Sequence, residues 1–151
     1  MGDINNFQRL GAPHSAGVGS AFEVMAKKFF QTTEALELEP NFSVPVGVTH
    51  LKKMHRFDLG SKSPAVLVEC KSHTWTQAGN MPSAKMTVWN EAMYYFHIAL
   101  GGFRRIMFVL RHHRRGLSLA SYYLQTHGHM VPSGVEVWEF DTDTMLGERL
   151  R

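Results

Sequence analysis

The chain has little that could staple or anchor it. Its one cysteine, Cys70, in 151 residues excludes an intramolecular disulfide and a cysteine-based zinc site, and makes a reducing interior the natural home. No stretch reaches the roughly 18 consecutive apolar residues that a membrane helix needs. The opening MGDINNFQRLGAPHSAG lacks the charged-then-apolar order of a secretory signal. A cytoplasmic protein is therefore expected. Internal repeats, linkers and low-complexity tracts are absent as well, and the formal net charge is only +3, compatible with a phosphate-rich partner without demanding one. What is present is ordinary globular material: 44% hydrophobic and 19% charged residues, enough for one domain with a single core. Residues 1–18, rich in Gly, Asn, Pro and Ser, read as an irregular arm, and residues 19–151 as one domain.

The chemistry gathers between His55 and His73, in HRFDLGSKSPAVLVECKSH. A β-rich run from Ala65 ends in Glu69-Cys70-Lys71. Side chains alternate along a strand, so Val66, Val68 and Cys70 face one way and Leu67, Glu69 and Lys71 the other. With Met54 to Leu59 as the preceding antiparallel strand and the turn at Gly60 to Pro64, Asp58 folds back towards Glu69. Two carboxylates beside one ammonium are costly to half-bury, since like charges push one acid to protonate. A divalent cation removes that cost, and hard oxygen ligands suit magnesium, which binds through one or two carboxylates plus waters and substrate phosphate.

Asp58 followed by Glu69-Cys70-Lys71 resembles the PD-(D/E)xK nuclease superfamily, the fold of many restriction endonucleases and Holliday-junction resolvases. Phe57 stands where a proline often precedes the aspartate, at a variable position. The resemblance implies an α/β (α+β) three-layer sandwich, with a central mixed sheet flanked by helices around a restriction endonuclease-like core. It implies magnesium, with manganese able to substitute, held by Asp58, Glu69 and the backbone carbonyl of Cys70. In the resolvase-like branch a first-helix glutamate, preceded four positions earlier by glycine, joins the metal site, and Gly19 and Glu23 have that spacing. Glu23 also admits a local reading, closing a capping box with Ser20 and pairing with Lys27.

Other features divide in the same way. Phe22, Met25, Ala26, Phe29 and Phe30 recur at helical spacing, and the helix is expected to end near Thr33 to Leu36. Asn41 to His50 reads as a strand at an edge or bulge, because Pro45 and Gly47 interrupt it. The run Lys52, Lys53, His55, Arg56 is either a solvated hairpin face or a grip on a nucleic-acid backbone, the residues favoured for that grip being Lys53 and Arg56. In the loop after Lys71, the resemblance sets Ser72, His73, Trp75, Gln77 and Asn80 beside the metal site. Trp75 there would stack on a base or, in the blander reading, anchor the loop to the core.

Pro82 and Ser83 open the longest helix, with a buried stripe of Met86, Trp89, Met93, Phe96 and Leu100. Asn90 and Glu91 are expected to face solvent, and Lys85, by family habit, to approach the phosphate. Phe103 to Leu110 reads as a central strand that delivers Arg111, His112, His113, Arg114 and Arg115. The arginines would bind phosphates or form a solvated loop. Leu117 to Thr126 reads as a short helix and Gly134 to Asp141 as the last strand, with Asp141 and Asp143 in an ordinary turn.

These readings converge on an expected magnesium-dependent endonuclease acting on DNA, with RNA not excluded, as a homodimer that cuts two strands. The alternatives are a nucleic-acid-binding module that kept the fold without cutting, and a small interaction protein.

Overall fold

The computed structural model describes residues 15–151. Helix α1 (Ser15–Glu34) leads into strands β1 (Glu39–Val46), β2 (Lys53–Lys62) and β3 (Ala65–Lys71). Helix α2 (Ser83–Ile98) and strand β4 (Arg104–Leu110) follow, then a small hairpin of β5 (His113–Arg114) and β6 (Leu117–Ser118). Helix α3 (Leu119–His127), a 3-10 turn (Gly128–Met130) and strands β7 (Val135–Asp141) and β8 (Leu146–Arg149) complete the fold. Most of the arm expected over residues 1–18 lies outside the described residues, and residues 15–18 belong to α1. Among the described residues no helix is long and apolar enough to cross a membrane.

The fold is α+β, built on a six-stranded mixed sheet of order β1-β2-β3-β4-β7-β8. Strands β3, β4 and β7 run parallel, while β1, β2 and β8 join antiparallel at the flanks. Strand alternation divides the core in two. Val66 and Val68 pack with Phe22, Ala26, Phe29 and Phe30 of α1 on one face. Leu67 packs with Trp89, Met93 and Phe96 of α2, and with Leu119 and Tyr123 of α3, on the other. Arg104 ties the layers at one end, its guanidinium bonded to Glu136 of β7 and to Glu34 at the end of α1.

Several local expectations change. Helix α1 begins five residues before Ser20, so Ser20 lies within the helix and the capping box does not form. Gly17, expected in the irregular arm, and Gly19 both lie in α1; each costs only about 1 kcal/mol inside a helix, and the aromatic stripe packed on the sheet offsets that. Leu100 leaves the buried stripe, because α2 stops at Ile98 and the chain turns extended at Ala99. Leu117 and Ser118 form β6 instead of helix, and Ser118 caps α3 by accepting a hydrogen bond from the Ser121 N–H at 3.1 Å. Strand β8 was not expected, since its short sequence LGER carries almost no apolar pattern.

The β2–β3 turn is also tighter than expected. β2 runs through Gly60 to Lys62, leaving Ser63 and Pro64 as the turn. Gly60 serves close packing: a β-carbon there would stand 2.4 Å from the Phe42 ring. Gly60→Ala is expected to cost about 1–3 kcal/mol through overpacking, read as a lower urea midpoint with an unchanged m-value.

Candidate active site

The parallel strands of the sheet end side by side, and β3 delivers Glu69 and Lys71 there on the α2 face, as alternation requires. Both are almost fully buried, and the Lys71 ammonium lies 3.2 Å from Glu69 Oε2. Asp58 arrives from β2 by a local irregularity. Phe57 packs in the α2-side core and Leu59 in the α1-side core, although residues two apart on a regular strand share a face. The strand therefore reorients at Asp58, opposite Asn41 of β1, which takes a left-handed backbone with φ 55°. The β2–β3 ladder stops at Leu59↔Val68. Beyond it the Asp58 carboxylate accepts the Cys70 N–H at 2.7 Å.

Asp58, Glu69 and Lys71 share one groove of about 180 Å³ with His55 and Arg56 of β2 and with Val88, Glu91, Ala92 and Tyr95 of α2. His55 is clamped in it. Its ring stacks on Tyr95 at 3.6 Å between centroids, meets Phe57 edge-on, and holds Nε2 at 3.9 Å from Glu69 Oε1.

Burial dominates the electrostatics. It pushes the Asp58 carboxyl up to about 6, reinforced by the charge of Glu69 and more weakly by Glu23, while the Cys70 N–H and Lys71 act in the opposite sense. Glu23 is raised in turn by its own burial and by Glu69, against Arg56 and Lys71. Of its two readings, the local one loses its capping box, because Ser20 lies inside α1. The half-buried Glu23 interacts with the groove residues, and no ion pair with Lys27 forms among the described residues. Cys70 packs its side chain against the α1-side core, and burial raises its thiol well above the usual range.

The more distant candidates separate. Arg56 is at the groove, and Lys53 is exposed at the start of β2. His73 turns inward: its Nδ1 accepts from Trp89 Nε1 at 2.8 Å, and burial, helped by Lys71 and Lys85, lowers its pKa to about 4. It is neutral at pH 7 and supplies no cation. Trp75 is 6% exposed, so the anchor reading holds and stacking on a base does not. Its indole N–H donates to the Leu117 carbonyl, and the Arg114 guanidinium covers the ring at 5.1 Å. Arg114 is thereby committed to the loop. Arg111 faces the buried Glu139 at 3.7 Å. Gln77, Lys85 and Arg115 are exposed, Arg115 in the β5–β6 turn. None of these lines the groove.

Five groove residues carry no site assignment from sequence, three of them polar: His55, Glu91 and Tyr95. His55 was read only as part of a basic run, Tyr95 was not singled out, and Glu91 was expected simply to face solvent. Glu91 is exposed, yet it lines the groove. The spacing Val88, Glu91, Ala92, Tyr95 is itself a helical stripe, adjacent to the buried one, and carried the signal.

Among the described residues no three of His, Cys, Asp and Glu converge closely enough to hold a metal ion by themselves. The donors nonetheless fit a hard divalent cation that keeps most of its waters: two carboxylates on adjacent strands, held by the Cys70 N–H and the Lys71 ammonium. No family model, no curated protein and no solved structure matches the chain.

An aspartate raised in the folded state holds its proton to higher pH than in the unfolded chain, so stability falls as pH rises from about 4 to about 6. The raised Glu23 acts in the same sense. Asp58→Asn retains an acceptor for the Cys70 N–H and removes the charge. It is expected to stabilise the metal-free protein by on the order of 2 kcal/mol at pH 7, with the gain vanishing below pH 4, measured by urea unfolding across that range.

Proposed function

We propose that the chain is a magnesium-dependent endonuclease that hydrolyses phosphodiester bonds in DNA, on a restriction endonuclease-like variant of the α+β sandwich. The observation that carries this reading is the convergence of Asp58 and Glu69, from neighbouring strands, with Lys71 in one groove. The order acid, then acid-x-Lys on the next strand, is that of the PD-(D/E)xK superfamily.

Asp58 and Glu69, with the Cys70 carbonyl, would hold magnesium or manganese. Such an ion polarises the scissile phosphate and makes a nearby water more acidic. Asp58 responds to it directly, because a cation offsets both the burial and the neighbouring charge that favour its protonated form. Lys71 places an ammonium beside Glu69, where it orients the attacking water and offsets charge as the pentavalent phosphorus forms. Arg56, at the same groove, holds a phosphate of the substrate strand, and Glu23 adds negative charge next to the cation. A homodimer would set two such grooves on opposite strands. Its place of action would be the cytoplasm.

The test is incubation of the purified protein with supercoiled plasmid plus magnesium or manganese, alongside EDTA. Nicking or linearisation is expected only with metal, and Glu69→Ala or Lys71→Ala should each reduce the rate by about 100-fold or more. Far-ultraviolet circular dichroism should remain native-like. Binding without cleavage of plasmid, branched DNA, single strands or RNA would leave a non-catalytic nucleic-acid-binding module. Neither binding nor metal-induced stabilisation would point to the small interaction protein.

A further inference from the structure

The β1–β2 connection carries an apolar cluster that the groove does not use. Leu51 is 76% exposed, Val48 68% and Met54 61%, and the exposed Leu100 follows at the hairpin's base. Single exposed apolar side chains need no explanation, but large ones gathered on one tip do.

The tip is built to hold them outward. Lys52 folds back, its ammonium donating to the Gly47 carbonyl at 2.9 Å and to that of Thr49. The Leu51 N–H donates to the Thr49 hydroxyl at 3.3 Å. The base is fixed to the chain leaving α2, where Gly47 N–H bonds Ile98 O, Leu100 N–H bonds Pro45 O, and Val46 bridges Ala99. The backbone is thus tied at both ends while the side chains stay mostly exposed.

Charge selects the partner. From Gly47 to Phe57 there is no carboxylate, whereas Lys52, Lys53 and Arg56, with His50 and His55, fall in that interval. A second copy of the same tip would bring like charges together, which disfavours a self-interface. A polyanion suits it. Strand β2 also leads directly from the tip to Asp58, so the partner at the tip would be continuous with the substrate in the groove.

We propose that the β1–β2 tip is a wedge for duplex DNA, with Leu51, flanked by Val48 and Met54, inserted at a base step while Lys53, at the start of β2, holds a phosphate beside it. The inference rests on the nuclease reading for its substrate class. Leucine and methionine are among the side chains that unstack base steps in architectural proteins, and the basic neighbours supply the non-specific attraction. The chain from Leu51 to Asp58, strand from Lys53 onward, spans at most roughly 23 Å. At about 3.4 Å per nucleotide step along a strand, that sets the distortion no more than roughly seven base pairs from the phosphate to be cut.

The experiment uses full-length Glu69→Ala protein and a set of duplex oligonucleotides, each with 2-aminopurine at one position. A fluorescence rise confined to one or two adjacent positions on binding, and lost with Leu51→Ser, supports the wedge. Leu51 is so exposed that the substitution leaves the fold undisturbed. Lys53→Ala should lower the slope of log affinity against log salt by about 0.9, the share of one phosphate. Binding without any fluorescence rise overturns the proposal. So does a Leu51→Ser effect confined to anionic vesicles or to the oligomeric state in sedimentation, which would assign the tip to a membrane or a second copy. Plasmid cleavage by otherwise wild-type protein separates the two readings. Normal cutting and normal DNA distortion by Leu51→Ser would refute the wedge and spare the nuclease. Distortion that depends on Leu51, without metal-dependent cutting, would uphold the wedge and refute the nuclease.

Discussion

The hydrogen bond from the Cys70 N–H to the Asp58 carboxylate is the constraint on which the site depends. In a regular antiparallel pair that N–H would be satisfied by a carbonyl of the neighbouring strand. Here the β2–β3 ladder ends at Leu59↔Val68, leaving Asp58 outside it, and a side chain takes the position of the missing backbone acceptor. The exchange does two things at once. It satisfies a buried donor, which would otherwise cost about 1–3 kcal/mol, and it fixes an acid next to Glu69 where repulsion would otherwise drive it away.

The sandwich makes that arrangement tolerable. Large aromatic clusters on both faces, Phe22, Phe29, Phe30 and Phe108 on one side and Phe57, Trp89, Phe96 and Tyr123 on the other, hold the strands that carry the acids. Apolar burial of this kind contributes about 1.5–3 kcal/mol for each fully buried large side chain. A buried ion pair such as Glu69–Lys71 adds little on balance, because removing two charges from water nearly cancels their attraction. The core therefore stabilises a cluster that costs stability, which is the usual physical relation between scaffold and reactive site.

The loop after β3 shows the same economy in reverse. Trp75, His73 and Arg114 carry the chemistry that a nucleic-acid surface uses, yet each is turned to structure: the indole to the Leu117 carbonyl, the imidazole to the Trp89 N–H, the guanidinium to the Trp75 ring. These contacts join the β3–α2 loop to the β5–β6 hairpin and to α2, and so set one wall of the region around the strand ends. Residue type alone does not distinguish an aromatic that meets substrate from one that closes a loop. The decision lies in whether a buried partner is within reach of its polar atom.

Period and punctuation in the sequence determined the main elements: the aromatic stripe of α1, the long α2 between Pro82 and Gly101, the strands β3, β4 and β7, and the alternation that puts Glu69 and Lys71 on one face and Cys70 on the other. Those features are local, repeating every two or 3.6 residues, and so can be read without knowing what packs against them. Tertiary structure alone decided the early start of α1, the strand role of Gly60, the existence of β8 and the reorientation at Asp58. The last three depend on a neighbour distant in sequence: Phe42 over Gly60, β7 beside β8, Asn41 opposite Asp58. It also decided that Glu91 and Tyr95 border the acids, since a helix's own spacing fixes which residues share a face but not which strand end that face will meet.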